Sequence, residues 1–99
     1  MGVSSTKSGS EITVHVHNTL DLDDSVDFSK IYTSVDSSKV HFIIDMNDTE
    51  YLDSSGLGML LKMKHRVGGE KGRIRITNCK PFLKRLFKIS HYHELFTIE

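Results

Sequence analysis

The chain has 99 residues, 13 basic and 13 acidic side chains, a net charge of zero and a 37% hydrophobic content that is ordinary for a globular protein. This length predicts a single domain, near the lower limit for a core that needs neither metals nor disulfides. The one cysteine, Cys79, excludes an internal disulfide and favours a reducing, cytoplasmic location. No apolar run approaches the about 20 residues of a membrane-spanning helix, so no membrane insertion is expected.

The charges are divided unevenly along the chain. Residues 1–53 hold three bases and ten acids, a net charge of −7, whereas residues 54–99 hold ten bases and three acids, a net charge of +7. Such asymmetry can indicate a nucleic-acid face, two poles that attract each other, or a partner of mixed charge. The bases lack the interleaved aromatic residues of a single-strand binder, so nucleic-acid binding is the weakest of these hypotheses.

The N-terminal region divides into a polar leader and the start of the domain. Residues 1–10 are mostly Ser, Gly, Thr and Lys, which predicts a disordered leader followed by one domain over residues 11–99. Ile12, Val14 and Val16 alternate with polar residues, which is the period of a half-buried strand.

Three further elements follow in order. Residues 18–24 indicate a short acidic turn or a second strand. The apolar spacing over residues 26–35 predicts a helix. The nearly continuous apolar run over residues 40–46 predicts a buried central strand.

The most informative segment is Leu-Asp-Ser-Ser-Gly-Leu-Gly at residues 52–58. Here Ser54 and Ser55 follow the carboxylate of Asp53 at the point where a loop turns into a helix. The first turn of a helix has unpaired N–H groups and the positive end of the dipole, so it tolerates a phosphate well. A hydroxyl at this place is therefore a candidate site for a regulatory phosphate.

The helix predicted after this segment ends at Gly68-Gly69. Its apolar stripe is expected to comprise Leu57, Leu60, Leu61, Lys64 and Val67. Met59 and Met63 stand four residues apart and partly off that stripe, which allows either peripheral core packing or contact with a partner. Gly56 and Gly58 each allow two interpretations, tight packing of the helix start or close approach of a kinase active site.

The C-terminal region completes an α/β pattern. Residues 73–77 predict a strand, Pro81 suits the first turn of a helix, and residues 94–98 predict a last short strand. The buried side of that helix is expected to comprise Phe82, Leu83, Leu86 and Phe87. Its basic residues Lys80, Lys84, Arg85 and Lys88 indicate a solvated face or docking to an acidic partner. The order of elements predicts an α/β fold, a small mixed β-sheet of four to five strands with about three main helices packed on it.

Enzymatic and metal sites are weakly indicated. The residue two before Ser54 is Leu52, so the loop is not a Gly-x-Ser-x-Gly elbow, and the chain lacks a Walker loop and a dinucleotide fingerprint. No catalysis and no cofactor are expected. His15 and His17 share a strand face but lack completing ligands, and residues 91–93 predict a surface turn, so no metal is expected either.

With these motifs in view, the chain resembles the STAS domain, in particular the free-standing anti-sigma factor antagonists of bacterial partner-switching systems. In that family an acid-Ser-Ser/Thr-Gly-Leu-Gly loop follows a buried strand and opens a helix, as residues 53–58 do here. A Gly-Gly turn, a strand and a helix similar to Pro-x-x-Lys-Arg-Leu-Phe follow, matched by residues 68–69, 74–77 and 81–87. The resemblance covers roughly residues 12–98 and is strongest from residue 40 onward.

The resemblance implies specific residue roles. The family's phosphoacceptor falls on Ser54, and its acidic residue near the acceptor falls on Asp21, within Asn18-Thr19-Leu20-Asp21 where the family has Gly-Glu-Leu-Asp. The partner-binding residues expected are Asp21, Asp53, Ser55, Gly56, Leu57, Gly58, Met59 and Met63.

The resemblance also implies a switch. The unphosphorylated protein would bind a serine kinase of the histidine-kinase-like ATPase type that acts as an anti-sigma factor, and phosphorylation would release it. A PPM-type serine phosphatase would restore binding. An alternative is a STAS subunit that docks on a membrane transport complex without phosphorylation.

Overall fold

Residues 2–99, which the computed structural model describes, form seven strands and three α-helices. The strands are β1 (Val3–Ser8), β2 (Glu11–Val16), β3 (Asn18–Leu20), β4 (His41–Asp45), β5 (Thr49–Leu52), β6 (Ile74–Thr77) and β7 (Thr97–Ile98). The helices are α1 (Ser25–Thr33), α2 (Ser54–Val67) and α3 (Pro81–Ile89). Within this described part, no helix combines the length and apolar character needed to cross a membrane.

The strands form one mixed sheet and one small parallel pair. The main sheet has the order β1-β2-β4-β6-β7, in which β1 and β2 are antiparallel and all other neighbours are parallel. Strands β3 and β5 form a separate parallel pair. The predicted α/β fold, with a mixed sheet of four to five strands and three helices, is confirmed.

The core lies where the alternating strand residues meet the helices. Register pairs in the sheet include Val14 with Ile44 and Ile44 with Ile76, and all three side chains are fully buried. Helix α1 buries Phe28 and Tyr32, and α3 buries Leu83 and Phe87, against the same continuous core. The alternation predicted over residues 12–17 is confirmed, since Ile12, Val14 and Val16 all face this core.

The prediction of a disordered leader over residues 1–10 is wrong for residues 3–8, which form β1; Met1 lies outside the described residues. Strand β1 pairs with all of β2, from Val3 with Val16 to Ser8 with Glu11. The reversal occurs at Gly9-Ser10, where Gly9 has φ +61°, as a glycine at the first position of a two-residue hairpin loop can adopt. This exposed edge strand is held by backbone pairing with β2, so the polarity of its side chains does not predict it. The folded domain therefore begins before residue 11.

The apolar stripe predicted for α2 is wrong in part. The buried residues are Gly56, Met59, Leu60 and Met63, with Met63 at 0% and Met59 at 9% exposure. Leu61 lies outside the stripe, with 36% of its surface exposed. Glycine at residue 56 lets the helix start approach the β3–β5 pair closely, and Met59, Leu60 and Met63 follow it on the same buried face.

Two other elements differ from the sequence analysis. Strand β5 was not predicted; Thr49 at its start is fully buried and its hydroxyl donates a hydrogen bond to the Val16 carbonyl at 3.0 Å. The last strand is only Thr97–Ile98, because residues 92–94 form a 3-10 turn instead. Phe82, predicted to be buried, is 40% exposed.

Candidate functional site

Asp53 and Ser54 define the start of helix α2. Asp53 is the N-cap, and its Oδ1 accepts a hydrogen bond from the Gly56 N–H at 2.9 Å. The carbonyl of Asp53 accepts a second bond from the Leu57 N–H at 3.0 Å. Ser54 is the first residue of the helix and is exposed, while Ser55 is half-buried. The N–H groups of these two serines have no acceptor within the helix, and the positive end of the helix dipole lies at this point.

The parallel pairing of β3 with β5 places two carboxylates at one edge. Leu20 is in register with Leu52, and each leucine is followed by an aspartate, Asp21 or Asp53. Because paired parallel strands end at the same edge, Asp21 emerges beside Asp53 and the first turn of α2. The expectation that Asp21 lies on the Ser54 side of the domain therefore agrees with the strand register.

A hydrogen-bonded turn holds Asp21 in place. Its carboxylate accepts bonds from the Asp23 N–H at 3.0 Å and the Thr19 hydroxyl at 3.3 Å. Asp24 is only 5% exposed, and its carboxylate accepts bonds from the Asp21 N–H at 3.1 Å and the Gly2 N–H at 2.9 Å. Asp24 is a plausible cap of the next helix by sequence, but its side chain instead completes a capping box with Asp21, at the Asp-x-x-Asp spacing of residues 21–24.

The two glycines of the loop have different roles. A Cβ added at Gly56 would overlap the Leu20 carbonyl oxygen and lie 2.6 Å from Leu52 Cδ1, so packing alone requires glycine there. A Cβ added at Gly58 would meet no atom within 4 Å. Packing therefore does not explain Gly58, which is exposed.

The C-terminal turn also holds the start of α2. The Tyr92 hydroxyl donates a hydrogen bond to the Leu57 carbonyl at 2.6 Å, and its ring stacks on Phe87 with centroids 5.9 Å apart. Burial raises the pKa of the Tyr92 phenol, which therefore remains a hydrogen-bond donor at neutral pH. The sequence did not indicate this contact of Tyr92 with α2, because residues 91–93 predict only a surface turn.

The eight residues predicted to bind a partner fall into three groups of exposure. Gly58 is exposed, while Asp21, Asp53, Ser55 and Leu57 are half-buried. Gly56, Met59 and Met63 are buried. The prediction that Met59 and Met63 contact a partner is therefore wrong, because both methionines pack in the core. Leu22 and Val26, which follow Asp21, are instead 70% and 60% exposed.

Histidines lie beside carboxylates along strands β2 to β3 and at the C-terminal turn. His15 Nδ1 lies 3.4 Å from Asp45 Oδ2, and His17 Nδ1 lies 3.6 Å from Asp48 Oδ2. At the C-terminal turn, His91, His93 and Glu94 bring their ligand atoms within 4.8 Å of one another, so these exposed side chains could reach one metal ion.

Cys79 is not a candidate nucleophile. The thiol is buried, and this burial raises its pKa to about 11. At neutral pH the reactive thiolate form is therefore scarce.

The comparisons with known proteins agree with this geometry. The family model of the STAS domain matches residues 6–99. A STAS-domain containing protein of Pseudomonas aeruginosa (strain UCBPP-PA14) is 34% identical over 90 residues, which are 91% of this chain and 89% of that protein.

Solved structures share the fold at lower identity. The anti-sigma factor antagonist SpoIIAA in its unphosphorylated form aligns with a TM-score of 0.74 and 18% identity over 98% of this chain and 86% of its own. The phosphorylated form of SpoIIAA, a Bacillus cell fate determinant, aligns with a TM-score of 0.73 and 19% identity over 98% and 90%. The murine anion transporter Slc26a9 matches 87% of this chain with 14% of its own, at a TM-score of 0.62 and 22% identity. The chain therefore belongs to the STAS-domain family.

Proposed function

We propose that this protein is a phosphorylation-regulated binding module of the anti-sigma factor antagonist type, with Ser54 as its phosphoacceptor. Unphosphorylated, it binds a cytoplasmic serine kinase of the histidine-kinase-like ATPase type that acts as an anti-sigma factor. Phosphorylation of Ser54 by that kinase releases it, and a PPM-type phosphatase restores binding. The observation that carries the proposal is the exposure of Ser54 at the first position of α2.

The helix start can accept a phosphate without loss of the fold. A phosphate adds about 1.5 to 2 negative charges and three acceptor oxygens. The open N–H groups and the helix dipole stabilise such a group by about 0.3–1 kcal/mol. The cap of the helix does not use the modified hydroxyl, because Asp53 Oδ1 accepts the Gly56 N–H.

The same phosphate changes the surface offered to a partner. Asp21 and Asp53 emerge at this edge, and Asp23 adds an exposed carboxylate in the turn after Asp21. The exposed side chains of Leu22 and Val26 supply apolar contact area next to these acids. A partner that fits a neutral serine there would meet extra negative charge and bulk after phosphorylation. A change of about 1–3 kcal/mol would weaken binding about 5- to 150-fold.

SpoIIAA supports this proposal because a protein of the same fold is known in both phosphorylated and unphosphorylated forms. STAS domains typically act as binding modules without catalysis, and we propose the same of this chain.

The direct test is phosphate transfer from the kinase encoded nearest to this gene. The protein is incubated with that kinase and ATP, and the modified residue is mapped by mass spectrometry. We expect one phosphate on Ser54 and none in Ser54→Ala. Ser25→Ala is a matched control, because Ser25 also follows an aspartate at the first position of a helix. Unchanged incorporation in Ser54→Ala would contradict the proposal.

A second candidate is a subunit that docks on a transport complex without phosphorylation. The fold shared with part of the anion transporter Slc26a9 favours considering it. Phosphate transfer separates the two candidates. A docking subunit would take up no phosphate, and its Ser54→Asp variant would bind the transport complex as well as the unmodified protein does.

A further inference from the structure

An apolar groove lies between strand β5 and helix α3. Its lining residues are Tyr51, Leu52, Phe82, Arg85, Leu86 and Ile89. Ile89 is 71% exposed, Tyr51 is 58% exposed and Phe82 is 40% exposed. These are among the most exposed large apolar side chains of the described residues, and all three meet in this one groove. Contiguous exposed apolar residues of this kind are typical of interaction surfaces.

Helix α3 carries two apolar faces. Leu83 and Phe87 point into the core and are fully buried. Phe82, Leu86 and Ile89 recur at helical spacing on another side and line the groove. The helix therefore presents a second apolar stripe whose ends, Phe82 and Ile89, remain exposed, while Leu86 between them is partly buried.

The charged residues of helix α3 are all basic, while Glu50 on strand β5 is paired with Lys80. Helix α3 contains Lys84, Arg85 and Lys88 and no acidic residue, and Arg85 lines the groove itself. At the helix start, Lys80 bonds the Thr49 carbonyl at 3.0 Å and Glu50 at 3.3 Å, so its charge is already matched. The cations along the groove have no acid within their own helix. An occupant that carries carboxylates beside an apolar face would complement both properties.

We propose that this groove docks an acidic amphipathic helix of a partner protein. Helix α3 has nine residues and so offers a wall of about 13 Å, which matches two to three turns of an opposing helix. Tyr and Arg are enriched among interface hot spots and aromatic residues among interface cores, and the groove is lined by Tyr51, Arg85 and Phe82.

The charges and shape disfavour other occupants. A second copy placed symmetrically would bring the same basic helix against itself, and like charges would repel. A membrane surface has the opposite charge but is flat, and it would not fill a groove walled by a strand and a helix. The docking does not require the Ser54 hydroxyl, so it goes beyond the proposed function and can fail or succeed independently of it.

Three synthetic amphipathic helical peptides test the proposal. They share one Leu/Phe face and carry Glu, Gln or Lys on the polar face, and binding is followed by amide chemical shifts of the 99-residue chain. We expect the Glu peptide to bind about tenfold or more tighter than the Lys peptide and to shift Tyr51, Phe82 and Ile89. Ser54→Ala should bind it like the wild type.

Surface variants locate the site. Ile89→Ser should weaken binding of the Glu peptide about tenfold, because it removes an exposed interface anchor and leaves the core untouched. Arg85→Glu should weaken binding of the Glu peptide and strengthen binding of the Lys peptide. Matched controls are Leu61→Ser and Lys62→Glu, which change an exposed apolar residue and an exposed base on α2. Both controls should bind the Glu peptide normally, and thermal midpoints show that all variants fold.

Several outcomes would overturn the proposal. Equal binding of the three peptides would exclude the charge argument, and shifts confined to residues outside the groove would exclude the location. A dimer in sedimentation that Ile89→Ser dissociates would assign the groove to a second copy. Binding to phosphatidylglycerol vesicles without binding of the Glu peptide would assign it to a membrane surface.

Discussion

The carbonyl oxygen of Leu20, at the end of β3, lies directly against Gly56 in the first turn of α2. This contact joins the two segments that supply Asp21 and Ser54. Any side chain at residue 56 would push the helix start away from the strand pair, so the contact fixes where the Ser54 hydroxyl stands.

Gly56→Ala is expected to destabilise the protein, and Gly58→Ala is its matched control. The added methyl group at residue 56 would meet the Leu20 carbonyl and the Leu52 side chain, and such overpacking typically costs about 1–3 kcal/mol. At residue 58 the methyl group meets nothing, and the higher helix propensity of alanine should stabilise by up to about 1 kcal/mol. Urea denaturation measures both changes. Equal effects of the two substitutions would contradict the packing role of Gly56.

The burial of Met63 makes a second prediction. Met63→Ala should lower the free energy of unfolding by about 2–5 kcal/mol, because it leaves a cavity in the core. Leu61→Ala, two residues earlier and 36% exposed, should lower it much less. Thermal denaturation compares the two variants. A small effect of Met63→Ala would place that side chain on the surface after all.

Two substitutions at Asp53 distinguish the stabilisation due to its N-cap hydrogen bond from that due to its negative charge. Asp53→Ala removes the acceptor for the Gly56 N–H and should cost about 0.5–2 kcal/mol. Asp53→Asn keeps an acceptor oxygen and should remain close to the wild type in stability. Chemical denaturation of both variants gives the answer, and an equal loss in the two would mean that the negative charge, not the cap, stabilises the helix start.

Asp45 predicts a pH dependence of stability. Burial of its carboxyl opposes ionisation, but hydrogen bonds from Asn78 at 3.0 Å and the Asn47 N–H at 2.9 Å, with His15 nearby, outweigh burial and lower its pKa. Because the folded pKa lies below the unfolded value of 3.8, this stabilisation is present above that pH and is lost as pH falls through the folded pKa.

Asn78→Gly tests this relation, because glycine tolerates the φ of +57° at residue 78 and removes the amide that bonds Asp45. The variant should raise the Asp45 pKa, which carbon-detected NMR titration of the carboxyl measures. It should also be less stable than the wild type at neutral pH, with a difference that shrinks in acid. A stability difference that stays constant down to low pH would show that Asn78 acts independently of Asp45 ionisation.

The strand pattern and the helix start could be read from the sequence, because both rest on local chemistry. Alternation over residues 12–17 fixes which side of β2 is buried, and an aspartate before Ser54 gives the N-cap. These features depend on neighbours within four residues. They can therefore be predicted without knowledge of tertiary packing.

The face of α2 that enters the core was not predictable in the same way. A pattern that counts large apolar residues favours Leu57 and Leu61, whereas the core contact begins at Gly56, which has no side chain to count. Strand β1 was missed for a related reason, since it is held by backbone pairing. The Gly-Ser pair at residues 9–10 is the one signal that indicates its hairpin.

The structure places the central residues of the candidate site where the sequence indicated, whereas the residues that support that edge were not indicated. Ser54, Asp53 and Asp21 lie at one edge as the motif indicates. Tyr92 and Asp24 hold that edge through bonds to residues 35 and 22 positions away, to Leu57 and Gly2 respectively. Contacts over such sequence separations leave no local pattern.

The affinity of the partner kinase for this protein with and without a phosphate on Ser54 tests the central claim most directly. Calorimetry with homogeneously phosphorylated and unmodified protein gives both dissociation constants, and amide spectra report whether the fold is kept. The account predicts binding weakened about 5- to 150-fold, with shifts confined to residues near the start of α2. Equal affinities, or a phosphorylated protein whose whole spectrum has changed, would contradict it.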